Sequence, residues 1–249
     1  MSIECKSRAE IEKLRRAGRL VRELLYEIRD RIRPGMTTME LERYAEKRLK
    51  ELGARPAFKG YRGYPCCLCT SVNDQIIHGI PSERKLREGD ILSLDLGVVL
   101  DGYYGDSAIT VPVGQISEPL QKLLRVTEEA LELAIQNARA GNHLGDVSAT
   151  VQQHAEKNHY TVVREFVGHG IGRDLHEEPQ VPNYGTPGHG PVLKEGMVLA
   201  IEPMVNSGGA AVRVLDDRWT AVTADGGYSA HFEHMVAVTR NGPDVLTRW

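Results

Sequence analysis

Two different spacings of apolar residues run along this 249-residue chain. Ile11, Leu14, Val21, Leu24, Leu25, Ile28 and Ile32 fall at helical spacing. Ser7-Arg8-Ala9-Glu10 just before them has the serine and glutamate of a capping box, and Pro34-Gly35 supplies a stop. A second box, Thr37-Thr38-Met39-Glu40, predicts another helix that ends near Gly53. The spacing then shortens. Ser93-Leu94-Asp95-Leu96-Gly97-Val98-Val99-Leu100 and Tyr103-Tyr104-Gly105-Asp106-Ser107-Ala108 read as strands joined by Asp101-Gly102, a strong hairpin-turn pair. Ser117 and Pro119 open a long helix to about Gly141, and a shorter one is predicted from about Asp146 to Lys157. Val198-Leu199-Ala200-Ile201 and Met235-Val236-Ala237-Val238 are two more apolar strands.

The pattern also repeats. Leu86-Arg87-Glu88-Gly89-Asp90-Ile91-Leu92-Ser93-Leu94-Asp95 matches Leu193-Lys194-Glu195-Gly196-Met197-Val198-Leu199-Ala200-Ile201-Glu202 at a constant offset of 107. Arg33-Pro34-Gly35-Met36 and Met39-Glu40-Leu41 echo Arg139-Ala140-Gly141-Asn142 and Gly145-Asp146-Val147 at 106. We therefore expect one α+β domain over residues 1–249, with halves of roughly 7–115 and 116–240 around a pseudo-two-fold axis. Asp95 and Glu202 become equivalent, each an acid ending an apolar strand segment.

The aspartates within the hairpin are the informative anomaly, because a buried carboxylate without a partner is very costly. With Asp101-Gly102 as the turn, Leu100 pairs with Tyr103, Gly97 with Asp106 and Asp95 with Ala108. Strand side chains alternate, so Asp95 and Asp106 lie on one face as diagonal neighbours, roughly 7 Å apart at Cβ. Two carboxylates so placed repel unless a cation lies between them. Taken alone, they also fit an edge hairpin facing solvent. Glu202 and Glu233 add two acids on apolar strands, and His169 lies in the glycine-rich Phe166-Val167-Gly168-His169-Gly170-Ile171-Gly172. An isolated histidine there is more often structural than ligating. Together, four carboxylates and one imidazole suit two divalent ions such as Mn²⁺, Fe²⁺ or Co²⁺, or else Zn²⁺. Such a pair activates a shared water.

Composition sets the surroundings. Hydrophobic residues at 41% and charged residues at 26% fit a soluble globular protein. The start, Met1-Ser2-Ile3-Glu4-Cys5-Lys6, has no signal-peptide core, no run reaches membrane-spanning length, and four cysteines suit a reducing compartment. A cytoplasmic location is the expectation. Cys66 and Cys69 form a lone C-x-x-C with no second pair, which we read as packing or pocket thiols. The net charge of −3 argues against a general nucleic-acid binder. Residues 1–50 nevertheless carry 14 Lys and Arg against 9 Asp and Glu. A solvated helix face explains that excess most simply, and docking on RNA is the sharper alternative.

Asp95, Asp106, His169, Glu202 and Glu233, in this order and context, resemble the five ligands of the pita-bread metallopeptidases. Val72-Asn73, His78-Gly79-Ile80-Pro81, Gly168-His169-Gly170-Ile171-Gly172 and His176-Glu177-Glu178-Pro179 narrow the resemblance to type I methionine aminopeptidase, in its short bacterial form. It covers about Ser7 to Thr239. It implies the pita-bread fold, with antiparallel sheet covered by helices and the metal site central. It implies removal of N-terminal methionine from nascent chains whose second residue is small, through water activated by two metal ions. Under that reading the chain's own Met1-Ser2 start is a substrate.

The resemblance also implies roles. Asp95 and Asp106 would chelate and bridge two ions (Co, Mn, Fe or Zn), with Glu233 as the second bridge. His169 and Glu202 would bind one ion, and Glu202 would carry the proton of the attacking water. His78 and His176 would contact the substrate. Phe58, Tyr61, Tyr64, Cys69, Leu175 and Trp219 match the methionine-side-chain pocket, although by residue type alone they read as core. Some relatives place Phe where Leu175 stands. The remaining histidines, among them His143, His154 and His189, are expected at the surface. The expected partners are nascent N-termini and, through the basic first fifty residues, weakly the ribosome; a monomer is expected, with no membrane and no specific DNA as partners. A prolidase or aminopeptidase P, or a non-catalytic relative that binds RNA or protein, are the competing readings.

Overall fold

The computed structural model describes residues 3–248, so the Met1-Ser2 start lies outside the described residues. In chain order the first part comprises α1 (Arg8–Arg29), α2 (Thr38–Glu51), β1 (Arg55–Pro56), β2 (Leu68–Val72), β3 (Gln75–Ile77), β4 (Ile91–Leu100) and β5 (Tyr103–Pro112). Helices α3 (Glu118–Asn137) and α4 (Leu144–Lys157) open the second part. Short strands follow: β6 (Thr161–Val162), β7 (Gly168–Gly170), β8 (Glu177–Val181), β9 (Val198–Ile201) and β10 (Met204–Asn206). The last are β11 (Val212–Val214), β12 (Ala221–Thr223), β13 (Ser229–His231), β14 (His234–Thr239) and β15 (Gly242–Val245).

Both predicted capping boxes form. Ser7 accepts from the Glu10 amide while Glu10 accepts from the Ser7 amide, and Thr37 and Glu40 do the same. Helix α1 buries Leu14, Ala17, Val21, Leu24, Leu25 and Ile28 against β4 and β5. It comes very close: a Cβ on Gly105 would lie 2.6 Å from the Ala17 backbone, so only glycine fits. The helix ends at Arg29, short of Ile32, because Asp30 caps it and Arg33, the residue before Pro34, is disfavoured in α geometry. Ile32 still packs on the core from the turn. Helix α3 likewise stops at Asn137 rather than Gly141, since Ala138 turns out of the helix at ψ 59. Helix α4 starts at Leu144, with His143 as its cap and Asp146 as the third residue of the box.

Strand β4 pairs with β1, β2 and β5, and a second sheet runs in the order β15-β14-β9-β7-β8. All strand pairs are antiparallel. Two smaller sheets, β13-β10-β6 and β11-β12-β3, close the region between them. The four helices cover this framework, an α+β arrangement of the pita-bread kind.

Candidate metal centre

The β4–β5 hairpin has the expected register. Leu100 faces Tyr103, Gly97 faces Asp106 and Asp95 faces Ala108, around Asp101 and Gly102 at φ 51 and 78. Positive φ at both turn positions suits a right-handed twist in the flanking strands. Asp95 and Asp106 thus point to one side. The second sheet supplies the other groups. Glu202 follows the last residue of β9, Glu233 precedes the first residue of β14, and His169 is the middle residue of β7, opposite Ala200. The arms are tied together: the Glu233 amide donates to Ala108 O at 2.9 Å, and Ser107 Oγ donates to Glu233 O at 2.8 Å.

All five side chains are buried and converge. Asp106, His169 and Glu233 each offer a ligand atom within 4.8 Å of the others. His169 Nδ1 lies 2.9 Å from the Gly170 carbonyl. Donation from Nδ1 leaves the Nε2 lone pair toward the acids, 3.5 Å from Glu202 Oε1 and 4.0 Å from Asp106 Oδ2. Burial drives the protonation. It pushes the Asp95 carboxyl up to about 7 and raises Asp106, Glu202 and Glu233 well above the usual carboxylate range, with mutual repulsion adding for Asp106 and Glu233. It pushes His169 down to about 3.

Asp95 Oδ1, Asp106 Oδ1 and Glu233 Oε1 have no hydrogen-bond partner among the described residues. An orphaned buried carboxylate oxygen is strongly destabilising unless something positive meets it. The donor set of carboxylate oxygens and a neutral imidazole matches hard to borderline divalent cations. On both counts the residues fit a metal centre.

The acids line a cavity of about 260 Å³. Phe58, Tyr61, Tyr64, Cys69, Leu175, Trp219, His78 and His176 all line it, so every residue singled out in the sequence meets in this one place. Tyr64 and Trp219 meet edge to face at 5.1 Å, and His78 sits edge to face with Phe166 and Trp219. A Cβ on Gly97 would approach Phe58 to 2.5 Å, so that glycine makes room for the pocket wall. Trp219 is oriented by its own turn, its amide donating to Asp217 Oδ1 at 2.9 Å. The Cys66 and Cys69 thiols are buried and free; burial pushes Cys66 up to about 11 and Cys69 well above its ordinary value, as expected of packing and pocket thiols.

His78 stands at φ 60, a strained value for a non-glycine residue. Burial lowers its imidazole to about 4, and His176 likewise to about 4. Both are neutral near pH 7. Tyr61 Oη lies 2.8 Å from His176 Nδ1. If the phenol donates there, Nε2–H of His176 becomes the free donor.

One expectation needs correcting. Not all remaining histidines are on the surface. His143 and His154 are half-buried and His189 is exposed, but His231 and His234 are buried. His234 is held by Thr247 Oγ1 at 2.7 Å from its Nδ1. His231 reaches the site itself, with Nε2 3.5 Å from Glu202 Oε2. The only signal in the sequence was its place two residues before Glu233, which says nothing of Glu202. Arg62, Ile77 and Phe166 also line the cavity without having been singled out individually.

A paired-sheet framework with four buried acids and an imidazole lining one cavity is the setting of a metal-dependent enzyme. Residues 12–240 match metallopeptidase family M24. The chain is 52% identical to methionine aminopeptidase 1 of Bacillus subtilis over 246 residues, covering 99% of each. A crystal structure of methionine aminopeptidase from Thermotoga maritima superposes with a TM-score of 0.97 at 49% identity, over 100% of both chains. A prolidase from Pyrococcus furiosus shares the fold at TM-score 0.81 and 24% identity, and this chain covers 65% of it. The chain belongs to metallopeptidase family M24, among the methionine aminopeptidases.

Proposed function

We propose that the cavity takes the N-terminal methionine side chain of a polypeptide and that the acids lining it serve the hydrolysis of the first peptide bond. The observation that carries this reading is that five buried metal-type ligands line the same cavity as Phe58, Tyr61, Tyr64, Cys69, Leu175 and Trp219. Asp95, Asp106 and Glu233 would hold two divalent cations of the Co, Mn, Fe or Zn type, with His169 and Glu202 completing one of the sites. When bound, the ions supply Lewis acidity and a hydroxide-like water at neutral pH.

The chain's own residues do the rest. Phe58, Tyr61, Tyr64, Cys69, Leu175 and Trp219 receive the linear, polarizable thioether, which fills irregular apolar space well. Burying it favours Met over Ala by about 2 kcal/mol, or tens of fold. Glu202, whose carboxyl is pushed up by burial, takes the proton of the attacking water and passes it on. His176 offers Nε2–H to the carbonyl oxygen as it becomes tetrahedral, and His78 faces the departing amide nitrogen. The preference for a small second residue comes from the resemblance to the methionine aminopeptidases.

We read residues 1–249 as one catalytic domain made of two related halves. Gly35 and Gly141, and Gly89 and Gly196, stand at matched repeat positions with φ of 86, 95, 90 and 93, which supports that reading. The protein is further proposed to act in the cytoplasm as a monomer on nascent chains, with weak ribosome docking through its basic first fifty residues. Several of those cations are already paired, Arg15 with Asp244, Arg16 with Asp101 and Arg48 with Glu27, so the docking is weak and should fade steeply with salt. Among the described residues no helix is long and apolar enough to cross a membrane.

Cleavage of Met-Ala-Ser, abolished by a chelator and restored by Co²⁺ or Mn²⁺, is the expected result. Equal cleavage of Ala-Ala-Ser would refute the methionine pocket. Preference for a proline-second dipeptide over Met-Ala would point to a prolidase instead.

A further inference from the structure

We propose that His231 is a positioning residue for Glu202: its imidazole holds one carboxylate oxygen so that the other is presented to the metal centre beside His169. The inference rests on the reading of Glu202 as ligand and proton carrier. His231 is 1% exposed, and neither ring nitrogen has a hydrogen-bond partner among the described residues. A buried polar group left unpaired is destabilising, so whatever lies beside this ring matters. Glu202 is what lies there. His231 Nε2 is 3.5 Å from Oε2 while His169 Nε2 is 3.5 Å from Oε1, so the carboxylate sits between two imidazoles, one on each oxygen. About 0.3 Å of movement brings the His231 contact into the ordinary N–H···O range.

The backbone leaves His231 little choice. Its amide donates to Thr110 Oγ1 at 2.8 Å and its carbonyl accepts from the same hydroxyl at 2.7 Å. It also pairs with Met204 across β10 and β13, and the next amide, Phe232, donates to Pro203 O. The residue is thereby clamped between the hairpin of the first half and the chain just after Glu202. His231 does not line the cavity, so it acts from behind the acids, its closest contact being Glu202. Pinning one oxygen keeps the carboxylate from rotating between alternative ligand orientations. Partners of this outer kind commonly change metal affinity or activity by about 10–100-fold.

The test uses the metal-free protein titrated calorimetrically with Co²⁺, together with kcat and KM on Met-Ala-Ser. His231→Phe should weaken Co²⁺ binding by about 10–100-fold and lower kcat with KM unchanged. His231→Gln, whose amide reaches about as far as Nε2, should restore both, whereas the shorter His231→Asn should behave like His231→Phe. If His231→Phe fails to fold, the contrast between Gln and Asn decides. Wild-type Co²⁺ affinity and kcat in His231→Phe would overturn the proposal, as would Gln and Asn variants that behave alike. If the wild type itself leaves Met-Ala-Ser uncut, the functional reading fails, while the Co²⁺ affinities of the variants still judge His231.

Discussion

The two arms that carry the acids are built in opposite ways. Asp95 and Asp106 are eleven residues apart on one hairpin, closed by a two-residue turn whose register runs unbroken from Leu100–Tyr103 to Ile91–Pro112. Glu202 and Glu233 are thirty-one residues apart, at the ends of β9 and β14, which pair only after the chain has made an excursion through β10 to β13. The first arm is a local solution, determined by turn chemistry and the two-residue period of the strand. The second depends on long-range pairing, with His234 opposite Ile201. What the excursion adds is specificity: Trp219 enters the cavity from it, and His231 reaches Glu202 from its end. The local arm supplies charge, and the distant arm supplies charge together with surroundings.

The sharpest way to break this comparison is to remove one charge from each arm. Asp106→Asn and Glu233→Gln should both abolish turnover of Met-Ala-Ser while leaving the fold largely intact, because each removes a carboxylate charge that would hold the ions. Elemental analysis should show less bound metal per chain in both. Full occupancy and normal activity in either variant would remove that residue from the centre. If only the hairpin variant loses metal, the two arms are unequal ligands.

The same contrast explains what could be read from the sequence. The Asp95–Asp106 diagonal follows from Asp101-Gly102 alone, since a two-residue turn leaves no freedom of register. Glu202 was legible through its match to Asp95, and Glu233 through the apolar strand after it. That these acids, the His169 loop and the pocket share one place came from resemblance, because strand periodicity says nothing about which distant strands pair. His231 was missed for a physical reason: its significance lies in lying beside Glu202, a long-range contact between residues twenty-nine positions apart. The pocket aromatics looked like core because they are core on one side, with Tyr64 3% exposed yet facing the cavity.

A smaller effect is expected where the arms meet the substrate. His78→Ala and His176→Ala should keep bound metal and lose on the order of 10²–10³ in kcat, as when a donor to a developing charge is removed. His78→Ala should slow a Met-amide more than a Met-ester, whose leaving oxygen needs less proton assistance. Equal slowing would contradict its contact with the leaving group. His78 also predicts a pH effect. Burial holds its folded-state value near 4 against about 6.5 when unfolded, so between these limits the unfolded chain binds the extra proton. Stability is fully retained above pH 6.5 and falls as pH drops toward 4, by roughly 3 kcal/mol from this group. His78→Gln should flatten that part of the stability–pH curve relative to wild type, measured by denaturant unfolding; an unchanged slope would show that the His78 imidazole is not held near 4.

The smallest predicted effect tests the joint between the arms. Thr110 on β5 is 4% exposed; its hydroxyl accepts from the His231 amide, donates to the His231 carbonyl, and bonds to Ser93 Oγ at 2.8 Å. Thr110→Val keeps the shape and removes all three bonds, leaving a buried amide and carbonyl unpaired on that side. Each orphaned group costs about 1–3 kcal/mol, and a protein of this length loses about 2–4 °C of Tm per kcal/mol. Ser107→Ala deletes only the single bond to Glu233 O and should cost about 1 kcal/mol. Thermal unfolding of the two variants should therefore rank Thr110→Val well below Ser107→Ala, with both below wild type. The ranking matters more than either value, because it asks whether the distant arm is held at its return point or along its whole length. If Ser107→Ala proves the more damaging, the brace lies at Glu233 itself. The clamp on His231 is then too weak to set the geometry of the second arm.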